Sequence, residues 1–223
     1  MAQKLEGKGI IFSPDLVELD ECLKILDKCC KFFSAVKIGN ITLYKYGIKA
    51  LQQIKSHFDI PVICDFKLMD IPDIAVEIVG LGAANGMDGA MIWGLAGDET
   101  ISRCISSFPD LMIFVLTEYT HTPDVINEKT SDNLASMAAQ LGAYGIQAPA
   151  TRPYRISKLR KIVGEKLKII SCGVGYQGTP YGTAVKFGAD FEIIGRAIYQ
   201  APNSILESER ALTEIIANSK IGK

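Results

Sequence analysis

Short apolar runs rich in β-branched residues recur along the chain at 9–13, 35–39, 61–65, 89–93, 112–116, 144–147, 168–172 and 192–195. Between them, as in 16–30, 43–57, 71–82 and 132–142, apolar positions return every three to four residues, the spacing that lines one face of a helix. A shorter helical pattern falls at 183–187 and a last one at 204–217. The apolar runs predict strands buried on both faces, which are parallel and joined by helical crossovers. Eight of them at near-even spacing predict a closed (β/α)8 barrel, with an open sheet as the competing arrangement. No linker, low-complexity tract or compositional break divides the chain, so residues 1–223 read as a single α/β barrel domain.

Composition changes this picture little but narrows the partners. Hydrophobic residues make up 48% and charged residues 22%, close to the globular average. The formal net charge of −1 supplies no global field toward nucleic acid or anionic lipid, so any bound phosphate has to be gripped by a local site. Six cysteines show no C-x-x-C pair and sit mostly in apolar runs, which fits a reducing, cytoplasmic setting. Residues 1–8 lack the apolar core of a secretion signal, and no apolar stretch is long enough to span a bilayer. The two histidines, His57 and His121, are far apart and not joined to ligand-spaced cysteines, so no metal site is expected.

A barrel places its chemistry at the C-terminal ends of the strands and in the loops that follow. The third strand ends in Asp65-Phe66-Lys67-Leu68-Met69-Asp70-Ile71-Pro72, the second in Val36-Lys37-Ile38-Gly39, and the first near Ser13-Pro14-Asp15. Asp65 and Lys67 are two apart and so share a face of an extended segment. Singly, these residues have plain readings: Asp70 as a helix cap ahead of Pro72, Asp65 and Lys67 as a rim ion pair. Clustered on three consecutive strand ends, two lysines and two or three carboxylates point to an active site instead.

The D-x-K-x-x-D segment formed by Asp65, Lys67 and Asp70 resembles the signature of orotidine 5′-monophosphate decarboxylases. Lys37 in V-K-I-G and Asp15 in S-P-D-L match that family's other two polar positions. The resemblance covers nearly the whole chain, including Leu116-Thr117-Glu118 and Ala150-Thr151-Arg152-Pro153. It implies conversion of orotidine 5′-monophosphate (OMP) to UMP and CO2 without a cofactor. Lys67 is then the proton donor to C6, kept charged by Asp65 and Asp70. Lys37 and Asp15 hold ribose hydroxyls, and Thr120 hydrogen-bonds the base. The resemblance also implies a homodimer in which Asp70, with Ile71 beside it, serves the neighbouring subunit's site.

The seventh run leads into Gly173-Val174-Gly175-Tyr176-Gln177-Gly178, which matches G-x-G-x-x-G as a string. A dinucleotide fingerprint requires an acidic residue about twenty positions on, whereas the next strand ends in Gly195-Arg196. In a barrel, the loops after strands seven and eight form the usual phosphate site: glycines admit the oxygens to backbone N–H groups, and Arg196 makes parallel hydrogen bonds. In the resembled family, Gln177 and Arg196 match phosphate contacts. A plain tight turn and a solvated arginine are the competing reading.

Three positions depart from the archaeal-type pattern: Ile74 for a usual Thr, Trp93 for a His and Cys172 for a Pro. The nearest rival is a Mg2+-dependent sugar-phosphate lyase of the same superfamily, which carries a glutamate where this chain has Lys37. A catalytically silent nucleotide-binding barrel is the remaining alternative.

Overall fold

The computed structural model describes residues 2–121 and 126–219. Its eight strands are β1 (Gly9–Phe12), β2 (Phe33–Gly39), β3 (Val62–Leu68), β4 (Gly89–Trp93), β5 (Met112–Leu116), β6 (Gly145–Pro149), β7 (Lys168–Cys172) and β8 (Phe191–Ile194). They pair in parallel, each with the next in sequence, and β8 returns to β1, so the sheet is a closed barrel and the open-sheet alternative falls.

The helices form the outer layer. They are α1 (Leu19–Cys29), α2 (Asn40–Tyr46), α3 (Lys49–His57), α4 (Pro72–Ala84) and α5 (Asp98–Ser107), then α6 (Glu128–Gln140), α7 (Pro153–Val163), α8 (Thr183–Lys186), α9 (Arg196–Tyr199) and α10 (Ser204–Ser219). One apolar cluster fills the shell between strands and helices; a second, with Ile11, Ala35, Ile63, Met91, Phe114, Ile170 and Phe191, fills the barrel interior. Strand alternation explains the division. On β6, Ile146 and Ala148 face the shell while Gln147 faces inward.

Several boundaries differ from the sequence expectation, each for a local reason. The pattern over 43–57 is two helices, because Gly47 takes φ +67° and ends α2 before α3 begins. Helix α6 starts at Glu128 rather than 132, since the Asn127 side chain caps it by accepting from the Thr130 N–H at 3.0 Å. The first helix begins at Leu19 rather than 16, which leaves 13–18 as the loop that carries Asp15. Strand β3 runs on to Leu68 through a register slip against β4 between Cys64 and Leu68. That slip shapes the site.

Candidate active site

Lys67 is, among the described residues, the non-glycine with positive φ, at 46°. A left-handed backbone is costly for a long side chain and persists where the surroundings impose it, commonly at functional positions. Simple alternation puts Asp65 and Lys67 on one face; the structure brings them together through this bulge. The Lys67 ammonium donates to Asp65 Oδ2 at 2.7 Å.

The same oxygen lies 3.1 Å from the Lys37 ammonium, which in turn donates to Asp15 Oδ1 at 3.0 Å. Ser13 Oγ donates to Asp15 Oδ2 at 2.8 Å. A row of alternating charge, Asp15–Lys37–Asp65–Lys67, thus crosses the ends of the first three strands. Burial alone would push the Asp65 carboxyl up, but the Lys37 and Lys67 ammoniums outweigh it and hold it below the usual carboxylate range. Burial would likewise lower the Lys37 ammonium, yet Asp65 and Asp15 keep it above its ordinary value. The two lysines are not equivalent. Lys37 is locked, with 7% of its side chain exposed, whereas Lys67 leaves 47% open to a ligand. Asp65 Oδ1 is buried and, among the described residues, has no hydrogen-bond partner, a cost that an arriving donor would relieve.

These groups line a cavity of about 440 Å3 at the C-terminal mouth of the barrel. Thr120, Gly173, Val174, Gln177, Gly195 and Arg196 share it, so most of the expected set converges. Gly173 has φ +100°, and a Cβ there would sit 2.9 Å from the Thr151 methyl. On Gly195 a Cβ would meet the Ser13 carbonyl at 2.5 Å, so only glycine fits this approach of β8 to β1. The Arg196 guanidinium lies over the Tyr176 ring at 3.8 Å and, among the described residues, forms no ion pair, which leaves its donors for an anion.

Four expected residues lie elsewhere. Gly175 and Gly178 face the outer side of the glycine loop, lining a second cavity of about 540 Å3 with Tyr181, Glu207 and Arg210. They shape the turn, in which the Gly175 N–H donates to the Thr179 carbonyl at 2.7 Å. Asp70 and Ile71 lie outside the main cavity, beside Leu95 and Thr100. Asp70 Oδ1 accepts from the Ile71 N–H at 2.8 Å, so within one chain Lys67 is flanked by Asp65 and not by Asp70. The segment turns outward after the bulge, which is why sequence proximity misleads here.

Sequence reasoning missed Gln147, Tyr119 and Tyr176 as wall residues. Gln147 had a visible signal, a lone amide in the apolar run Gly145-Ile146-Gln147-Ala148-Pro149. It also missed the brace behind the β5 loop. Arg152 donates to Glu118 Oε1 at 2.8 Å and to the Tyr119 carbonyl at 2.7 Å, and Thr151 Oγ1 donates to the Thr120 carbonyl at 2.7 Å. Fully buried Arg155 takes the other Glu118 oxygen at 2.9 Å. Long-range pairs of this kind leave no periodic trace in sequence.

Comparison with known proteins agrees with this geometry. The family model described as Orotidine 5′-phosphate decarboxylase / HUMPS family matches residues 8–211. The chain belongs to this family. A relative from Methanosarcina acetivorans, named orotidine 5′-phosphate decarboxylase, is 34% identical over 210 residues, covering 93% of this chain and 94% of the relative. Among solved structures, the Methanocaldococcus jannaschii orotidine 5′-monophosphate decarboxylase complexed with inhibitor BMP aligns with a TM-score of 0.87. That match has 27% identity and covers 94% of this chain and 99% of the other. The Pyrococcus horikoshii enzyme aligns at 0.86 with 29% identity over 93% and 99%. Within the described residues, no helix is long and apolar enough to cross a membrane.

Proposed function

We propose that this protein decarboxylates OMP to UMP and CO2, the closing step in making a pyrimidine nucleotide. The observation that carries the reading is the alternating row Asp15–Lys37–Asp65–Lys67, sharing one cavity with a glycine loop and Arg196, which forms no ion pair among the described residues. The phosphate belongs at Arg196, Gln177 and the backbone of Gly173 and Val174, with the ribose hydroxyls at Asp15 and Lys37. Thr120 faces the base.

In the chemical step the C6–carboxylate bond breaks, CO2 leaves, and the bonding pair stays on C6. The ring delocalises that pair poorly, so a fixed cation has to stabilise it. At about 4 Å and an effective dielectric of about 20, one ammonium contributes about 4 kcal/mol. Lys67 supplies that charge, then transfers its proton to C6 and is reprotonated from water. Phosphate contacts remote from C6 add binding energy that is realised in the transition state.

The Mg2+-dependent lyase reading is disfavoured by Lys37. Its ammonium occupies the space between the Asp15 and Asp65 carboxylates at 3.0 and 3.1 Å, where a divalent cation would have to compete with it. The deciding experiment follows OMP consumption by absorbance with and without EDTA. Turnover unaffected by the chelator is expected; turnover abolished by it, or none toward OMP at all, overturns the reading.

The same reading includes a homodimer and a cytoplasmic setting. Met69, Ile71 and Leu95 are exposed beside Asp70, an apolar surface suited to a second copy. All six cysteines are free, as a reducing compartment requires.

A further inference from the structure

Tyr176 is a large aromatic residue at the tip of the glycine loop, and 58% of it is exposed. The tip is a tight turn in which the Gly178 N–H donates to the Gly175 carbonyl at 2.9 Å. Gly175 and Gly178 take φ +72° and +93°, so glycines set the backbone there and carry the central residues, Tyr176 and Gln177, outward. Nothing in such a turn calls for an aromatic ring at its second position.

The ring has a partner across the cavity mouth. The Arg196 guanidinium lies over it at 3.8 Å from the centroid, a stacking distance and shorter than the other cation–ring contacts of the described residues. Tyr176 belongs to the loop after β7 and Arg196 follows β8, so this contact ties the two phosphate-side loops together. Both side chains line the main cavity, and Tyr176 also lines the cavity on the outer side of the loop.

Stacking has a specific consequence for a guanidinium. The ring covers one flat face, whereas the N–H donors lie in the plane and remain available. A carboxylate partner would fix the same side chain by consuming those donors and offsetting its charge, and among the described residues Arg196 has none. An arginine held by neither contact samples many rotamers, and ordering it when a ligand binds costs affinity. The aromatic contact removes part of that cost and leaves the charge and donors intact.

We propose that Tyr176 is a positioning residue whose ring holds the Arg196 guanidinium in place, donors free, for the phosphate of the ligand. This rests on the nucleotide reading above and adds to it a side chain that acts on the phosphate through Arg196.

The test is a double-mutant cycle of Tyr176→Leu and Arg196→Ala, with Tyr176→Phe alongside, read as kcat and KM for OMP and as UMP affinity by calorimetry. Alone, Tyr176→Leu is expected to raise KM and weaken UMP by about 3- to 10-fold, with kcat affected less. Tyr176→Phe keeps the ring face and should stay within about two-fold of wild type. With Arg196 replaced by alanine no guanidinium is left to hold, so adding Tyr176→Leu should change kcat/KM by less than about two-fold. That ratio stays readable where UMP binds too weakly for calorimetry. A ring that merely shapes the loop would cost as much beside Arg196→Ala as in wild type, and that result overturns the proposal. So does a Phe variant as impaired as the Leu variant, or a Leu variant that binds UMP as well as wild type or better. Wild-type protein that neither binds UMP nor consumes OMP removes the nucleotide reading itself, and this inference with it.

Discussion

Lys67 and Arg196 carry opposite ends of the proposed chemistry, and their loss should be told apart kinetically. In the proposed mechanism Lys67 meets the reacting carbon, so Lys67→Ala is expected to lower kcat by at least about 10³-fold while UMP affinity stays within a few-fold. In the proposed site Arg196 is the group that grips the phosphate through charge-assisted bonds, so Arg196→Ala should raise KM about 10- to 100-fold with a smaller effect on kcat. Steady-state kinetics and UMP calorimetry check both; a KM effect confined to Lys67→Ala would reverse the assignment. A third residue acts on stability. Burial pushes the Glu192 carboxyl up to about 7, with Glu214 adding to it, against the N–H groups of Gly182, Val185 and Ala184. A folded value raised above the ordinary one means stability present below about pH 4.5 and lost as pH rises through about 7. Glu192→Gln removes the ionisation, so the wild-type melting temperature should fall relative to the variant between pH 5 and 8. The difference should reach about 3 kcal/mol at most. Parallel melting curves across that range would contradict it.

At the scale of elements, the strand and helix pattern was readable because buried parallel strands and amphipathic helices have distinct periods. Turn chemistry and caps set the boundaries, and those were legible only in part. Gly47 is an example: a single glycine inside a helical period reads as tolerated, yet its φ of +67° makes two helices of one. No atom lies within 4 Å of a Cβ built there, so Gly47→Ala is strained by backbone alone. It should cost about 1 kcal/mol and lower the melting temperature by about 2–4 °C, with OMP turnover unchanged. The β3 bulge is the converse case. Period-two alternation anticipates Asp65 and Lys67 on one face, but the left-handed Lys67 that actually places the ammonium follows from pairing against β4.

For the whole molecule, the question is how many chains complete one site. Asp70 turns away from its own cavity and lies in an exposed apolar strip, so the dimer reading makes it a group for the partner's site. Sedimentation should give a dimer, and Asp70→Ala should be nearly inactive. Mixing it with inactive Lys67→Ala should restore up to about a quarter of wild-type turnover, because half of the sites in mixed dimers regain both groups. A mixture as inactive as its components, or a monomer with full turnover, sinks the shared site.

The sequence alone determined the eight-strand barrel and the cluster Asp15, Lys37, Asp65 and Lys67, since periodicity and position at strand ends are local, one-dimensional signals. The glycine loop and Arg196 were legible for the same reason. Tertiary structure alone decided that Lys37 is locked and Lys67 open, that Asp70 leaves the cavity, and that Tyr176 stacks on the Arg196 guanidinium. Those facts depend on distances across the barrel between residues far apart in the chain, and separation in space is what a string of residue types does not record.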